Sequence, residues 1–330
     1  LETITTNTEL KPAFKLLYNE KNITKDISDS YIQITYTDKE HGEADEIAVD
    51  IEDTTGKWKD AWYPTKGDSL GFYMGYMGQK LLPCGPFEID EPHFMPAVIS
   101  IKGISTSIKK ALREKTTKRF KNTTLKKVAQ SIAKKHGLTL IGTIKDIKIG
   151  TKTQKMQTDL NFLKKLAEAH GYLFKITGNK LVFYSIGTLE NVKSVFTVVP
   201  EDLADYDLGD KTAQTYSACE VTYFDHKKNK KIKVRVENKS IVKADTLKIN
   251  AKCSNKDQAI TMANAGLKKV SYQVEGTIKF KKGNPKACAG VNFDLKKMGK
   301  LNGKYKIVTS THSITKGGAY ETTCEVKKIA

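Results

Sequence analysis

Six carboxylates fall within one short stretch, at Glu43, Asp45, Glu46, Asp50, Glu52 and Asp53. Carboxylates at that density suit general acid/base work or a divalent cation. The run Glu46-Ile-Ala-Val-Asp-Ile51 alternates at period two, however, which sets Glu46, Asp50 and Glu52 on the polar side of a half-buried strand. A solvated face or a subunit contact is the plainer use of such a row. His136 and His170 each close a helical pattern on the same phrase, His136-Gly137-Leu138 and His170-Gly171-Tyr172. A histidine there sits well against the negative end of the helix dipole, a structural use. Cys84, Cys219, Cys253, Cys288 and Cys324 are odd in number and contain no C-x-x-C pair, so they read as buried reduced thiols. Trp58 and Trp62, beside Tyr63-Pro64, have the content of a sugar or partner groove, or of a lid packed over the end of a β unit.

The usual signatures of catalysis are absent: H-E-x-x-H, G-x-S-x-G, Walker A, and G-x-G-x-x-G ahead of a helix. Gly71, Gly75 and Gly78 lie within a β run at the wrong spacing for a phosphate cradle, and point to close backbone packing. No catalytic, cofactor or metal residue is assigned, and no enzyme activity or cofactor is expected. The formal charge is +19, and residues 101–170 supply +14 of it, with 18 Lys/Arg against four Asp/Glu. Arginine occurs only at Arg113, Arg119 and Arg235. Sequence readers lean on the planar arginine fork, so this lysine surplus suits solubility or an acidic partner better than specific nucleic-acid reading.

A chain of 330 residues with 39% hydrophobic residues has material for two or three packed domains. No apolar run is long enough to span a bilayer, so no membrane anchor is expected. Leu1-Glu2-Thr3-Ile4 has neither the charged nor the apolar region of a signal peptide, and a cytoplasmic compartment is expected. Strands are expected at Tyr31–Tyr36, Glu46–Ile51, Leu70–Tyr76, Phe87–Asp90 and Ala97–Ile101, forming a small barrel or sandwich. A basic α+β segment follows. Its first helix carries Leu125, Val128, Ala129, Ile132 and Ala133 between Thr124 and Gly137; its second runs from Asp159 to Gly171. A hairpin is expected around Gly178-Asn179. From Ala218 the β character returns, interrupted by a helix over 255–269.

The first and last β regions share a pattern. Gly67-Asp-Ser-Leu70 precedes Gly85-Pro-Phe87-Glu-Ile89, with His93 eight residues after Gly85. Gly290-Val-Asn-Phe293 precedes Gly303-Lys-Tyr305-Lys-Ile307, with His312 nine residues after Gly303. The repeat predicts an internal duplication.

The motifs Gly42-Glu-Ala-Asp45-Glu-Ile-Ala-Val-Asp-Ile-Glu-Asp53, Gly67-Asp-Ser-Leu and Gly85-Pro-Phe-Glu-Ile-Asp90 resemble the opening domain of the late-control D family, the baseplate hubs of contractile phage tails and tail-like bacteriocins. Gln154, Asp159, Leu160, Phe162, Leu163 and Gly171-Tyr172 follow the family's middle, and Leu301-Asn-Gly-Lys-Tyr-Lys-Ile, His312 and Gly317-Gly318-Ala-Tyr320 its end. The resemblance implies an α+β, mainly β fold: two similar β-barrel tube domains, 1–103 and 211–330, separated by an inserted α+β region, 104–210. It implies structural roles for Asp45, Asp53, Gly67, Gly85, Phe87, Gly303, Tyr305 and His312. It also implies a homotrimer that presents six similar barrels between a hexameric tail tube protein and a trimeric central spike protein, with other baseplate proteins as partners. The particle, an infectious phage or a bacteriocin, would be built in the bacterial cytoplasm. The basic segment is expected to dock an acidic baseplate partner through Lys126, Lys127, Lys134 and Lys135. A peptidoglycan-binding or -degrading tail protein is the alternative, and a DNA-contacting tail terminus a third reading.

Overall fold

The computed structural model describes residues 10–105, 114–177, 179–210, 216–225, 228–238, 244–253, 255–270 and 274–329. The first unit runs through β1 (Pro12–Tyr18), β2 (Lys21–Asn22), the turn α1 (Thr24–Ile27), β3 (Tyr31–Lys39), β4 (Glu46–Glu52), β5 (Ser69–Tyr76), β6 (Leu82–Met95) and β7 (Val98–Ser105). Its strands pair in the order β3-β4-β7-β6-β5-β1-β2. Alternation decides the faces. In β4, Ile47, Val49 and Ile51 are buried, and with Ile34, Tyr36, Phe72, Phe87 and Ile101 they build one core.

The inserted region holds β8 (Lys115–Thr124), α2 (Leu125–Lys135), β9 (Thr139–Ile141), β10 (Lys148–Thr158), α3 (Asp159–Ala169), β11 (Tyr172–Thr177), β12 (Lys180–Ser185) and α4 (Ile186–Asn191). The Thr124 side chain accepts from Lys127 N, and that of Thr158 from Asn161 N, caps worth about 1 kcal/mol each. Gly137 and Gly171 stop the two helices at φ +63° and +73°. The five expected apolar positions of α2 are all buried, in a separate core with Phe162, Leu163, Phe174 and Phe183. Asp159 ties this unit together. Its carboxylate accepts from Lys135 Nζ (2.7 Å), His136 Nε2 (2.7 Å) and Gln154 Nε2 (2.8 Å), joining α2, α3 and β10. β11 and β12 pair antiparallel across the expected hairpin, of which Gly178 lies outside the described residues.

The last stretch comprises β13 (Phe196–Val198), β14 (Leu203–Asp210), β15 (Tyr216–Asp225), β16 (Lys230–Glu237), β17 (Asp245–Asn250), α5 (Lys256–Val270), β18 (Val274–Phe280), β19 (Asn292–Leu295), β20 (Gly303–Thr315) and β21 (Tyr320–Lys328). Two of these strands fall inside the span 104–210 expected for the insert. β13 pairs with β19 and β14 with β18, so strand pairing carries 196–210 into the second β unit. The expected 103/104 boundary falls within β7, whose register with β4 runs on to Ile104. Strands β16-β15-β17 and α5 form a small subdomain between β14 and β18, with Cys219, Val221, Ala259 and Ala263 in its core.

The two β units share one strand order, and five of their six strands match in register. The path β3-β4-β7-β6-β5-β1 in the first is β14-β18-β21-β20-β19-β13 in the second. Leu70 faces Phe87 as Phe293 faces Tyr305. Gly67 N donates to Ile89 O at 3.0 Å, and Gly290 N to Ile307 O at 2.8 Å. Both hairpins carry a bulge at the same place, after Ile89 and after Ile307. The bulges also settle the histidines. His93 faces Ser100 and stands where Thr311 stands; His312, facing Thr322, stands where Phe94 stands. A one-residue offset in a strand changes the face, so His93 points outward and His312 inward. One strand departs from the match: β1 is antiparallel to β5, β13 parallel to β19.

The units solve one packing problem in mirrored ways. Ile47 lies opposite Gly103 in the first, and Gly276 opposite Val326 in the second. A Cβ on Gly276 would fall 1.8 Å from Asp207 O. We expect Gly276→Ala to destabilise the protein by roughly 1–3 kcal/mol through displacement of β14, read as a lower denaturant midpoint. An unchanged midpoint would refute this packing.

Candidate functional site

The most heavily built feature is the joint between the two β units. β3 pairs antiparallel with β20 from Lys39–Thr309 to Gln33–Thr315, merging both units into one curled sheet. Ile314 and Tyr320 of the second unit enter the core of the first. Tyr76 Oη donates to Gly283 O at 2.9 Å, and the Tyr320 ring lies against Gly283, where a Cβ would come within 2.3 Å of it. His312 is fully buried here. Its Nε2 lies 3.1 Å from Ala287 O, which only accepts, so the proton sits on Nε2. Nδ1 then accepts from Tyr320 Oη at 2.8 Å.

Charged groups brace the same joint. Asp38 accepts from Ala289 N of the second unit (2.9 Å) and pairs with Lys175 of β11. Lys175 also reaches Asp45 at 3.3 Å, and Asp45 accepts from Lys39 N at 3.0 Å. One lysine from the insert thus closes on two aspartates of the first unit, one of which holds the second. Beside it, Glu40 and Lys306, each 5% exposed at the side chain, pair at 3.1 Å across the units. His41 Nδ1 accepts from Phe174 N at 3.0 Å, and Nε2 lies 3.4 Å from Glu168.

Burial pushes the Asp45 carboxyl up to about 6 against the pull of Lys175, with Asp38 adding repulsion. Burial draws the Lys175 ammonium down, but the two aspartates outweigh it and the net shift is upward. Burial lowers His41, His170 and His312 to about 4.

Four of the six clustered carboxylates have structural partners. Asp45 holds Lys175, Glu43 pairs with Lys164 (2.8 Å) and Glu46 with Lys39 (2.7 Å). Asp53 lies apart, buried, with Oδ1 accepting from Trp58 N at 3.4 Å. Trp58 packs in the first core and Trp62 meets it edge-on at 5.2 Å. Gly67 and Gly85 adopt φ +93° and +94°, a region only glycine enters freely, and Gly303 sits at +151°. Phe87 and Tyr305 are fully buried at matching core positions. His136 and His170 are the C-caps of α2 and α3. Cys84, Cys219 and Cys324 are buried, Cys253 and Cys288 half-buried, and all five are free thiols. Among the described residues no group of three or more His, Cys, Asp or Glu side chains could hold a metal, and no helix is long and apolar enough to cross a membrane. Sequence reasoning missed Asp38, Glu40, Lys175 and Lys306. The one trace was a buried-phase Asp38 continuing the alternation of Ile34 and Tyr36.

No family model matches the chain. It is 31% identical over 190 residues to the "Probable baseplate hub protein" of Escherichia phage 186, and 29% identical over 189 residues to its namesake in Escherichia phage P2. Each match takes in 56% of this chain and 48% of the relative, so the chain matches about half the length of these relatives. The fold is shared with the 43 kDa tail protein of prophage MuSo2 from Shewanella oneidensis, at TM-score 0.72 and 13% identity over 96% of this chain and 98% of that one. A tail protein of Neisseria meningitidis gives 0.71 at 11% identity, over 96% and 97%. An Escherichia coli type VI secretion component gives 0.59 at 9%, over 96% and 77%. The chain is thus similar in sequence to phage baseplate hub proteins and in fold to phage tail proteins and a type VI secretion component.

The buried histidines set a pH response. Each is neutral in the fold and takes up a proton on unfolding between pH 6.5 and about 4. Stability from this source is complete above 6.5 and lost as pH falls toward 4. Asp45, raised from 3.8 to about 6, opposes it by one proton over most of that window. Net uptake on unfolding of about two protons predicts a loss of roughly 3 kcal/mol per pH unit near pH 5 as a ceiling. Thermal unfolding should show the midpoint falling from pH 6.5 to 4.5; a flat or rising midpoint would contradict these assignments.

Proposed function

We propose that this chain is a structural baseplate hub protein, acting as a homotrimer that joins a six-fold tail tube to a three-fold central spike in a phage or bacteriocin tail. On this reading it performs no catalysis, assembles in the bacterial cytoplasm and ends in the particle, beside tube, spike and other baseplate proteins. The likeness to hub proteins supports the class. One observation carries the quaternary reading: each half of the internal joint recurs, unpaired, once more in the chain's own sheet, as the end strand β14 and as the stretch of β6 that runs past β5.

Within the chain, β3 of the first unit pairs with the far half of β20 in the second. The equivalents of these strands are β14 and the far half of β6. Among the described residues, β14 pairs only with β18, and residues 90–95 of β6 pair only with β7. Both present open edges, which proteins seldom leave unprotected. On β14 an exposed apolar side chain matches a buried one at the joint. Tyr206 stands where Ile34 stands, yet Tyr206 is 48% exposed and Ile34 fully buried beneath the second unit. Met95, at the tip of β6, is 44% exposed, and Phe94 stacks on exposed Tyr63.

Repeating the internal register between chains sets Pro92 opposite Asp210, His93 opposite Gly209, Phe94 opposite Leu208 and Met95 opposite Asp207. Pro92 replaces Ser310 and has no N–H, so the ladder between chains would lack one bond. Head-to-tail pairing of this kind closes into a ring when the rotation allows, and three chains of two units give six similar positions.

In the internal joint, Glu40 N donates to Val308 O and Lys316 N to Ile32 O. Thr311 and Thr37 are therefore a non-hydrogen-bonded pair, the closer kind, within disulfide reach. Their equivalents are His93 and Gly209. Oxidation of the double variant His93→Cys, Gly209→Cys should give a ladder on denaturing gels that ends at three chains, with neither single variant forming it. Native mass spectrometry of the unmodified chain should show the same trimer. Trimers that never cross-link would place the contact elsewhere; a ladder running past three would exclude the closed ring.

A further inference from the structure

The inserted region carries a bare, basic face whose position was not visible in the sequence. Strands β8 and β10 form a two-stranded ribbon. One side, with Phe120, Ile149 and Gln154, packs on the core of α2 and α3. On the other side lie Thr117, Arg119 and Lys121 of β8 with Thr151, Thr153 and Lys155 of β10, all exposed. Thr153 lies directly opposite Arg119. These six side chains are three cations and three hydroxyls, and exposed Lys115 extends the same row of β8. Among the described residues Arg119, Lys121 and Lys155 make no ion pair, whereas Lys135, Lys164 and Lys175 of the same region all do.

A second, independent feature sits at its end. Met156 is 65% exposed and held at φ +46°, in a break of register between Gln154 and Gln157, its N–H donating to Thr117 Oγ1 at 3.1 Å. A left-handed, exposed methionine on a bulge is strained backbone that presents an apolar side chain to solvent. Methionine there is an adaptable anchor for a protein surface. Phe120, by contrast, is buried in the core, so the ribbon offers no exposed aromatic platform on which bases would stack.

Charge tells the same way. Residues 106–195 hold 20 Lys/Arg against five Asp/Glu, while residues 1–105 hold 10 Lys against 18 Asp/Glu. The acidic first unit already takes insert lysines at Asp38, Glu43 and Asp45. The first turn of α2 carries Lys126 and Lys127 and no acid, an arrangement the helix dipole disfavours. Of the four lysines expected from sequence to form a dock, Lys135 is exposed but already paired with Asp159.

We propose that the outer face of the β8–β10 ribbon docks an acidic protein surface, with Arg119, Lys121 and Lys155 meeting carboxylates and Met156 entering an apolar pocket between them. The particle arm of the test rests on the hub reading, whereas the peptide-binding arm does not, and ring formation is scored separately by native mass spectrometry.

The test uses the full chain and two fluorescent probes at low salt, a peptide of glutamates interspersed with leucines and a random duplex DNA. The variants are Arg119→Glu/Lys121→Glu/Lys155→Glu, Met156→Ser, and a control, Lys231→Glu/Lys233→Glu, on the basic strand β16. Peptide binding should weaken at least about ten-fold in the triple variant, weaken measurably in Met156→Ser, and persist in the control, with unfolding midpoints unchanged. In particles assembled with the triple variant, one acidic component should be depleted while the hub remains. Equal loss in the control would reduce the effect to bulk charge and overturn the proposal. Tighter binding of duplex than of peptide, lost in the same triple variant, would replace a protein partner with nucleic acid. Unchanged binding and unchanged particle composition would leave the face merely solvated, and the proposal wrong.

Discussion

A β-sheet must do something with its edges, and this chain is organised around that constraint. An unpaired strand exposes a row of N–H and C=O groups that bond to whatever strand arrives. The chain closes one such edge internally by setting β3 against β20, and other features secure that contact. Ile314 and Tyr320 complete a core that the first unit leaves open. His312 fills the interior with both ring nitrogens engaged. The ladder supplies geometry more than energy, because each hydrogen bond nets only about 1 kcal/mol after exchange with water. Burial of the aromatic and aliphatic side chains across the seam supplies most of the driving force.

The charged cluster beside the seam has a different role. Buried ion pairs contribute little net stability, because desolvation offsets their attraction, but removal of one partner leaves an uncompensated buried charge. Lys175 between Asp38 and Asp45, and Lys306 against Glu40, therefore act mainly as registration marks. A one-residue slip of β3 along β20 would turn Asp38 to the opposite face and strand Lys175. The inserted region thus takes part in fixing the register of the sheet it sits on. Its attachment at the β3–β4 turn, where Gly42 N donates to Phe174 O at 3.1 Å, is the point where such a check acts on both units at once.

Local signals made much of this legible from sequence. Thr124, Gly137 and Gly171 mark their helix ends because capping is decided by a few adjacent residues. The repeat of Gly67 and Leu70 in Gly290 and Phe293 was visible because the glycine opening each β5-like strand donates to the same bulged carbonyl. What failed was non-local. The ribbon strands carry no strand signal in the sequence, because Lys-Thr-Thr-Lys-Arg-Phe-Lys has one apolar residue and its partner lies beyond a helix. Strand β14, Leu-Ala-Asp-Tyr-Asp-Leu-Gly-Asp, has an edge's composition and so looks like no strand at all. The two histidines were aligned by spacing, and the bulges after Ile89 and Ile307 place them on opposite faces.

Divergence between the units follows from where each strand ends up. Ile34 and Tyr36 of β3 are buried beneath the second unit, whereas their equivalents Tyr206 and Leu208 lie on an edge with Asp205, Asp207 and Asp210 between and beside them. A strand permanently paired within its own chain is free to be apolar. A strand left at an edge needs charge to stay soluble and to discourage indiscriminate pairing. Pro92 on the other open edge serves the same end, since it removes a donor from the backbone row. The turn between β3 and β4 carries only the loop that receives the insert; the equivalent turn after β14 has grown into β15–β17 and α5. That growth hangs a second small core beside the open edge, and Gly171 meets Ala265 of α5 at the boundary between the two added bodies. Apart from β1 and β13 the duplicated sheet keeps its register, so the chain varies what hangs from the turns while the ladder itself stays the same.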